Sequence, residues 1–313
     1  MAGIPEQVTV VGAGIAGAAC AAALRRAGVG VRWFDRGEAA GGRMASPVLH
    51  GRRVDIGASY FTVRDEGFAA LVDELAAAGL ARPWTDTFGV FAPGDAPTST
   101  TGPLRWSAPR GLQSLVQGVA GDVDLEVGRP IEVLPAGHVV LAMPDPDAAR
   151  LIQVPEPVPY HPAIAVVCGF DERRWPFRDG AFVNRHAAIE FVADDGARRG
   201  DDAPVLVVHT TPGLARRHGM DPSPAVGEVL EALRDLLGVG RPGWAVARRW
   251  AVAKPAGGHP ATFGLIDSDG GRLIGLAGDQ WCGSGPPRVE SAWRSGTDLA
   301  AALLSRMRGQ AIG

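Results

Sequence analysis

A glycine pattern near the N-terminus constrains the fold more than any other part of this sequence. The apolar, Val-rich run VTVV predicts a buried strand, and Gly12, Gly14 and Gly17 follow it directly as G-x-G-x-x-G. An Ala- and Leu-rich stretch then predicts a helix that stops at Gly28. The run VGVRWFD predicts a second strand that ends at Asp35. This order of strand, helix and strand is typical of a dinucleotide-binding βαβ unit.

Each residue of the pattern has a physical role in such a unit. Gly12 permits the tight turn, Gly14 lets a pyrophosphate approach the backbone, and Gly17 lets helix and strand pack closely. The helix N-terminus offers free N–H groups and a partial positive charge to phosphate. Asp35 lies 18 residues after Gly17, where an acid accepts hydrogen bonds from ribose hydroxyls. The residues expected to bind the dinucleotide are Gly12, Ala13, Gly14, Ile15, Ala16, Gly17, Asp35 and Arg36.

Composition narrows the class of protein. The 313 residues leave room for two domains, and 46% hydrophobic with 21% charged residues excludes global disorder. A net charge of −3 gives no strong attraction to a polyanion, so no nucleic-acid partner is expected. Three widely spaced cysteines predict neither a disulfide framework nor a metal site. The start is a poor secretory signal and no apolar stretch reaches the ~20 residues that span a bilayer, so we expect a cytoplasmic protein without membrane association.

A second glycine pair follows the acid. Gly41, Gly42, Arg43 and Met44 lie six to nine residues beyond Asp35, in a place where an NAD-binding domain needs no such pair. Arg43 offers a charged fork to a phosphate, and a structural pairing with a carboxylate is the alternative. With this segment the chain resembles the flavin-dependent amine oxidase superfamily, in which a G-G-R segment packs along the FAD pyrophosphate.

Further segments make the resemblance more specific. They are VDIGASYFTVRD (54–65), WSAPRGLQSLV (106–116), VVLAMPDPD (139–147), AIEFVADDGARRG (188–200), VLVVHTTP (205–212), and LAGDQWCGSG with RVESAW (276–293). In matching order they are most similar to the renalase-like branch, including its bacterial members. Two places depart from that branch. A hairpin expected between 130 and 139 is absent, and 248–252 contains RRWAV where relatives carry His before Trp-Arg-Tyr.

The resemblance implies a noncovalently bound FAD and a set of contacts to it. Gly42, Arg43 and Met44 would follow the pyrophosphate, and Gly57, Ala58 and Ser59 the isoalloxazine ring. Ile131 would meet the adenine, Gly278 and Asp279 the ribityl chain and phosphate, and Val289, Glu290 and Ser291 the N1–C2=O edge of the flavin. The alternative for Glu290 is an ordinary acid in the first turn of a helix. A helix N-terminus at that edge would stabilise the negative charge of the reduced ring.

The fold class expected is α/β, with a discontinuous Rossmann-like FAD-binding domain and a smaller α+β substrate domain that has a mostly antiparallel sheet. The FAD-binding domain takes residues 1–82, 104–154 and 256–313, and the substrate domain 83–103 and 155–255. The second range contains the strand-like runs AIAVVCGF, GAFVN, AIEFVAD and PVLVVHTT. The chain is expected to cross between the domains within the Pro-, Thr- and Gly-rich stretch 82–106.

Four residues are candidates for contact with substrate. They are Tyr60, Asn184, His209 and Trp281. The alternatives are a core aromatic for Tyr60 and satisfied buried polar groups for Asn184 and His209. Lys254, the only lysine, is expected to be a surface charge, with an oxygen-activating cation as the alternative.

The leading hypothesis is an FAD-dependent oxidase whose donor is a 2- or 6-dihydro isomer of NAD(P)H and whose acceptor is O2, with H2O2 as a product. Such a hydride transfer needs positioning and no protein base. An amine oxidase or a desaturase of a secondary metabolite is the first alternative, and a non-catalytic flavin-binding protein the second. The expected partners are a small-molecule substrate and O2, with no metal, and the expected state is a monomer or weak homodimer.

Overall fold

A computed structural model describes residues 7–310 of the chain. Its strands are β1 (Val8–Val11), β2 (Val31–Phe34), β3 (Val48–Leu49), β4 (Arg52–Arg53), β5 (Arg82–Phe91), β6 (Thr98–Ser107), β7 (Leu125–Glu126), β8 (His138–Leu141), β9 (Tyr160–Gly169), β10 (Gly180–Val183), β11 (Ile189–Asp194), β12 (Val205–Thr210), β13 (Trp244–Pro255), β14 (Gly264–Ser268) and β15 (Arg272–Leu276). Its α-helices are α1 (Ile15–Arg26), α2 (Glu66–Ala77), α3 (Gln113–Ala120), α4 (Asp145–Ala148), α5 (Asp195–Arg199), α6 (Pro212–Arg217), α7 (Ala225–Leu237) and α8 (Val289–Gln310).

The first sheet has six strands in the order β14-β15-β8-β1-β2-β7. All neighbours pair in parallel except β14 and β15. Helices α1 and α8 pack against each other so closely that a Cβ on Gly296 would overlap the carbonyl oxygen of Ala16. In open sheets of this kind ligands bind outside the carboxyl ends of the strands, which is where the glycine loop after β1 lies.

The second sheet has seven strands in the order β13-β9-β12-β11-β10-β5-β6. They pair antiparallel apart from β10 and β5. Helices α6 and α7 cover one face through Leu214, Val229 and Leu233. The other face packs on Val54 and Ile56 of the segment after β4, and we call it the inner face. The inner-face residues are Ala165, Val167, Phe191, Ala193, Val205, Val207, Trp244, Val246 and Trp250.

The structure confirms the expected fold class, with a mainly parallel and a mainly antiparallel sheet. The four strand-like runs of 155–255 form β9 to β12. The stretch 82–106, in which composition indicated a chain crossing, forms the ten-residue strands β5 and β6 of a hairpin. Its Thr and aromatic residues favour extended structure, and strand pairing outweighs the local effect of its prolines. The division into two domains stays a prediction.

Candidate cofactor and substrate site

The loop after β1 leaves the start of α1 open. Gly14 is the N-cap of α1 and no side chain caps the helix there. A Cβ on Gly14 would have no atom within 4 Å, whereas one on Gly12 or Gly17 would overlap a carbonyl oxygen. Gly12 and Gly17 are therefore required by packing, and Gly14 keeps open a space that the first N–H groups of the helix face. A phosphate fits such a space.

Asp35 holds this loop in place. Its Oδ2 accepts a hydrogen bond from the N–H of Ala13 and its Oδ1 from the N–H of Gly37, both at 2.6 Å. Each carboxylate oxygen has a further lone pair, so the same group remains able to accept from a ribose hydroxyl. Arg36, which the sequence pattern assigned to the dinucleotide, forms a two-pronged pair with Asp147 at 3.0 and 3.1 Å. Arg36 therefore has a carboxylate partner at the protein surface.

Arg43 lies at the centre of a polar cluster. Its guanidinium donates to both carboxylate oxygens of Asp279, at 2.7 and 2.9 Å. Its Cζ lies 5.5 Å from the centre of the Tyr160 ring, and the Tyr160 hydroxyl donates to Gln280 Oε1 at 3.0 Å. The sequence predicted that Arg43 and Asp279 both meet FAD, and the structure brings them together. The fork of Arg43 is nevertheless occupied by Asp279 instead of being free for a phosphate.

The segment 55–60 runs beside Arg43 and reaches the inner face of the second sheet. The N–H of Ala58 donates to the carbonyl oxygen of Arg43 at 2.8 Å, and a Cβ on Gly57 would overlap that oxygen. Trp250 Nε1 donates to the Ile56 carbonyl oxygen at 2.9 Å. Within the described residues, Ser59 Oγ is buried and has no hydrogen-bond partner. This orphaned hydroxyl beside a glycine backbone is a group that a bound ring can satisfy.

A buried network of ion pairs holds the segment 55–60 in place. Arg198 has no exposed side-chain surface, and its guanidinium donates to the carbonyl oxygens of Ser59 at 3.1 Å and Asp55 at 3.2 Å. It also donates to Asp195 Oδ1 at 2.5 Å. Although burial disfavours the charged carboxylate, the guanidinium groups of Arg198 and Arg199 hold the pKa of Asp195 below its ordinary value.

The inner face carries aromatic rings and one histidine. The ring of Tyr60 lies 5.4 Å from that of Phe88 and 6.1 Å from that of Phe191. His209 lies 6.3 Å from Phe191 between ring centres. Burial, with the charges of Lys254 and Arg198, lowers the pKa of His209 to about 3, and its Nε2 has no partner among the described residues. The imidazole is therefore neutral at physiological pH.

Two charged residues complete this wall. Lys254 pairs with Glu190, and the lysine side chain is 53% exposed. Lys254 was expected to be a surface charge, and its exposure agrees with that prediction. Its positive charge also contributes to the lowered pKa of His209.

The side chains in the first turn of α8 form hydrogen bonds with other parts of the protein. Glu290 Oε1 accepts hydrogen bonds from the N–H groups of Arg64 at 2.6 Å and Asp65 at 2.7 Å. Ser291 Oγ accepts from the N–H of Arg288 at 2.7 Å. The carboxylate of Glu290 thus anchors the loop before α2, a role that the sequence did not indicate. The contact of Val289, Glu290 and Ser291 with a flavin stays a prediction.

The other candidates lie apart from this group. Trp281 is 7% exposed and stacks on His259 with 3.7 Å between ring centres, so it is a core residue and provides no open pocket wall. Asn184 is exposed just after β10. Among the described residues, its one hydrogen bond runs from its backbone N–H to the carbonyl oxygen of Phe91. Ile131 is partly buried against the core beside Val139. Cys282 is buried, and burial raises the pKa of its thiol.

Sequence reasoning missed Arg198, Trp250 and Glu190. Arg198 and Glu190 both lie in the segment AIEFVADDGARRG, whose local pattern does not indicate their contacts with Ser59 and Lys254. Trp250 lies in the stretch 248–252, and no local pattern indicates its contact with Ile56.

Comparisons with known proteins agree with this geometry. The family model of an NAD(P)-binding Rossmann-like domain matches residues 10–75, and that of flavin containing amine oxidoreductases matches residues 112–304. The second match spans more than half of the chain. The chain therefore belongs to the flavin-containing amine oxidoreductase family.

Solved structures share the fold. A proposed protoporphyrinogen oxidase from Exiguobacterium sp. 255-15 superposes with a TM-score of 0.73 at 15% identity, covering 95% of this chain and 98% of that one. Wild-type putrescine oxidase bound to putrescine gives 0.69 at 15% identity, covering 96% and 99%. An oxidoreductase from Methanosarcina mazei gives 0.69 at 13% identity, covering 96% and 100%.

The protein is an FAD-dependent oxidoreductase, and its own residues fit the cofactor. The open space at Gly14 suits a pyrophosphate, Asp35 suits a ribose, and the orphaned Ser59 hydroxyl beside Gly57 suits the ring. Within residues 7–310 no helix is both long and apolar enough to cross a membrane.

Proposed function

We propose that the protein oxidises a small dihydropyridine donor, of the kind given by the 2- and 6-dihydro isomers of NAD(P)H, and passes the electrons to O2. The observation that carries the proposal is the neutral imidazole of His209 on an aromatic inner face. Bound FAD would accept a hydride from the donor carbon and, with one proton, return two electrons to O2 as H2O2.

The inner face is suited to positioning more than to proton removal. An imidazole whose pKa is about 3 is a weak base, and Glu190 on the neighbouring strand β11 pairs with Lys254. A dihydropyridine loses hydride without loss of a proton, so a wall of this kind is sufficient. The Nε2 of His209 is buried and has no partner among the described residues, and it is the atom that would hold a bound donor by a hydrogen bond.

The donor's ring would lie between FAD and the inner face. Tyr60 is partly exposed and offers a flat apolar surface for it, and the buried ring of Phe191 packs against Tyr60. The backbone of segment 55–60, which Arg43 and Arg198 hold from two sides, keeps the opposite wall in place. These residues orient the two rings and exclude water from the space between them.

Oxidation of a small amine is the second candidate. The family assignment and the likeness to a putrescine oxidase favour it. Against it, the two tyrosines do not form a cage for an amine, because the ring of Tyr160 lies against Arg43 and its hydroxyl is bound to Gln280. The positive charge of Arg43 already takes the place that an ammonium group would need on that ring.

Anaerobic stopped-flow mixing tests the proposal. The holoenzyme is mixed with 2-, 4- and 6-dihydro-NAD(P) and with putrescine, and the flavin band near ~450 nm is followed. Fast bleaching by the 2- or 6-isomers, with recovery and H2O2 on addition of O2, is expected. Bleaching by putrescine alone would establish the amine alternative, and a yellow protein that nothing bleaches would indicate a non-catalytic flavoprotein.

A matched pair of variants tests the role of His209. His209→Asn should slow bleaching by the isomers while FAD stays bound, because the group that holds the donor is lost. His161→Asn changes an exposed histidine on the neighbouring strand β9 and should bleach at the wild-type rate. Equal rates in both variants would remove His209 from the proposal.

A further inference from the structure

Arg248 lies on the inner face of the second sheet. Side chains alternate along a strand, and Trp244, Val246 and Trp250 of β13 pack on the inner face while Ala245 and Ala247 pack on the helical face. The pairing of β13 with β9 is continuous from Trp244 to Trp250, so Arg248 follows the same alternation. Its side chain is exposed.

The strand register places Arg248 in the same row as His209. Arg248 pairs with Ala165 of β9, and Ala165 pairs with His209 of β12. Two strand spacings separate the arginine from the histidine, which is about 10 Å. Ala165 between them is buried, whereas Arg248 is exposed on the edge strand β13, so the row leads from His209 to an exposed cation at the edge of the sheet.

Arg248 has no carboxylate partner among the described residues, unlike three other cations around the site. Arg43 pairs with Asp279, Arg198 with Asp195, and Lys254 with Glu190. Among residues 7–310, Arg248 forms no ion pair, and its guanidinium donates only to the carbonyl oxygen of Ala247, at 3.1 Å. The cation is thus free to meet an anion from outside the chain.

We propose that Arg248 is a specificity-determining residue that binds the pyrophosphate of a dinucleotide donor. A planar guanidinium presents two parallel N–H groups, which match the oxygens of a phosphate. The inference rests on the proposed function for the dihydropyridine half of the donor and assigns the other half to Arg248. An unpaired positive charge here also disfavours a cationic amine as substrate.

Binding of ADP-ribose, which has the pyrophosphate but no reducible ring, isolates this contact. Isothermal titration of the holoenzyme compares wild type, Arg248→Gln and Arg249→Gln. Arg249 is the matched control because it is the next residue, lies on the opposite face and contacts Met220. Arg248→Gln should weaken ADP-ribose about tenfold, as loss of a charge-assisted contact does, and Arg249→Gln should change it less than about twofold.

A second measurement uses donors with and without phosphate. Wild type should prefer dihydro-NAD isomers over the matching phosphate-free dihydronicotinamide ribosides in anaerobic reduction. Arg248→Gln should reduce that preference about tenfold, and Arg248→Lys should restore part of it. Equal preference in wild type and Arg248→Gln would overturn the proposal, as would ADP-ribose that fails to bind wild type or binds all variants alike.

The two proposals fail in different ways. If no dihydropyridine bleaches the flavin but ADP-ribose binds in an Arg248-dependent manner, the hydride donor is wrong and the anion site stands. If the isomers bleach the flavin and ADP-ribose binding does not depend on Arg248, the donor is right and the anion site is wrong.

Discussion

The guanidinium of Arg198 donates to the carbonyl oxygen of Ser59 at 3.1 Å from a position with no exposed surface. The bond joins α5, which lies between β11 and β12 of the second sheet, to the segment that also contacts Arg43. Because Asp195 neutralises the guanidinium at 2.5 Å, the arginine is tolerated in a dry interior and can fix a backbone there.

Loss of this arginine should destabilise the protein strongly. In Arg198→Ala, Asp195 loses its nearest charge partner and two carbonyl oxygens lose a donor, so we expect a loss of about 3–5 kcal/mol in the free energy of unfolding. Urea unfolding measures it. Arg174→Ala is the control, since that exposed arginine forms a surface pair with Glu172 and its loss should cost no more than about 1 kcal/mol. Equal midpoints for Arg198→Ala and wild type would show that the network does not stabilise the fold.

A methyl group at Gly14 should separate folding from FAD binding. A Cβ there meets nothing within 4 Å, so Gly14→Ala should leave the unfolding free energy of the apoprotein within about 1 kcal/mol of wild type. The methyl group enters the space that a pyrophosphate needs, and FAD affinity should fall about tenfold or more. Fluorescence titration of the apoprotein with FAD measures the affinity.

Gly227 supplies the control for that substitution. It lies in α7 and a Cβ there also has no atom within 4 Å, but it faces solvent away from the glycine loop. Gly227→Ala should leave FAD affinity unchanged and stabilise the apoprotein by about 0.5–1 kcal/mol. If Gly14→Ala bound FAD as tightly as Gly227→Ala does, the pyrophosphate would have to lie elsewhere.

The neutral state of His209 predicts a pH dependence of stability. Its folded pKa is about 3, below the ordinary value of 6.5, so between these values the unfolded chain binds a proton that the folded chain does not. Stability from this site is therefore complete above about pH 6.5 and falls as the pH drops toward 3, by up to about 1.4 kcal/mol per pH unit.

His209→Asn should remove that slope. Unfolding free energies of wild type and variant, measured from about pH 7 to about pH 4.5, should converge as the pH falls, because only wild type has the imidazole to protonate. His161→Asn, at an exposed position, should keep the wild-type slope. Parallel curves for His209→Asn and wild type would mean that the imidazole is not buried in its neutral form.

Local patterns predicted the βαβ unit that holds the glycine loop. Gly12, Gly17 and Asp35 act within one βαβ unit, so their spacing along the chain is also their spacing in the fold. The role of Arg198 depends on its contact with Ser59, 139 positions away, and the role of Trp250 on its contact with Ile56, 194 positions away. No local periodicity specifies such contacts, because they depend on how the two sheets meet.

The same limit explains the residues that sequence reasoning placed differently. Trp281 follows the Gly278–Asp279 turn and looked like a pocket wall, but Gly264 leaves room for its ring in the core and His259 stacks on it. Arg43 was expected to offer its fork to phosphate, yet Asp279 from the other end of the chain occupies it. Two hydrogen bonds from Arg43 go to Asp279, which lies 236 positions away along the chain. A single sequence does not reveal which distant charges will meet.

Glu290 should prove to be a structural clamp. Its Oε1 accepts from two consecutive N–H groups, of Arg64 and Asp65, and the side chain is nearly buried. Glu290→Ala leaves both donors without that acceptor, so a loss of about 1–3 kcal/mol in the free energy of unfolding is expected. Glu66 is the control, because it is also a first-turn acid but is exposed, and Glu66→Ala should change stability by less than about 1 kcal/mol.

A conservative variant separates the clamp from a simple charge effect at the start of α8. Glu290→Gln keeps a carbonyl oxygen that can accept both bonds while it removes the negative charge. If the clamp dominates, Glu290→Gln should recover most of the stability that Glu290→Ala loses in urea unfolding. If instead Gln and Ala are equally destabilised, the charge of Glu290 is what matters. The loop before α2 would then be held mainly by other contacts, such as the packing of Phe68 on Trp293 at 5.3 Å between ring centres.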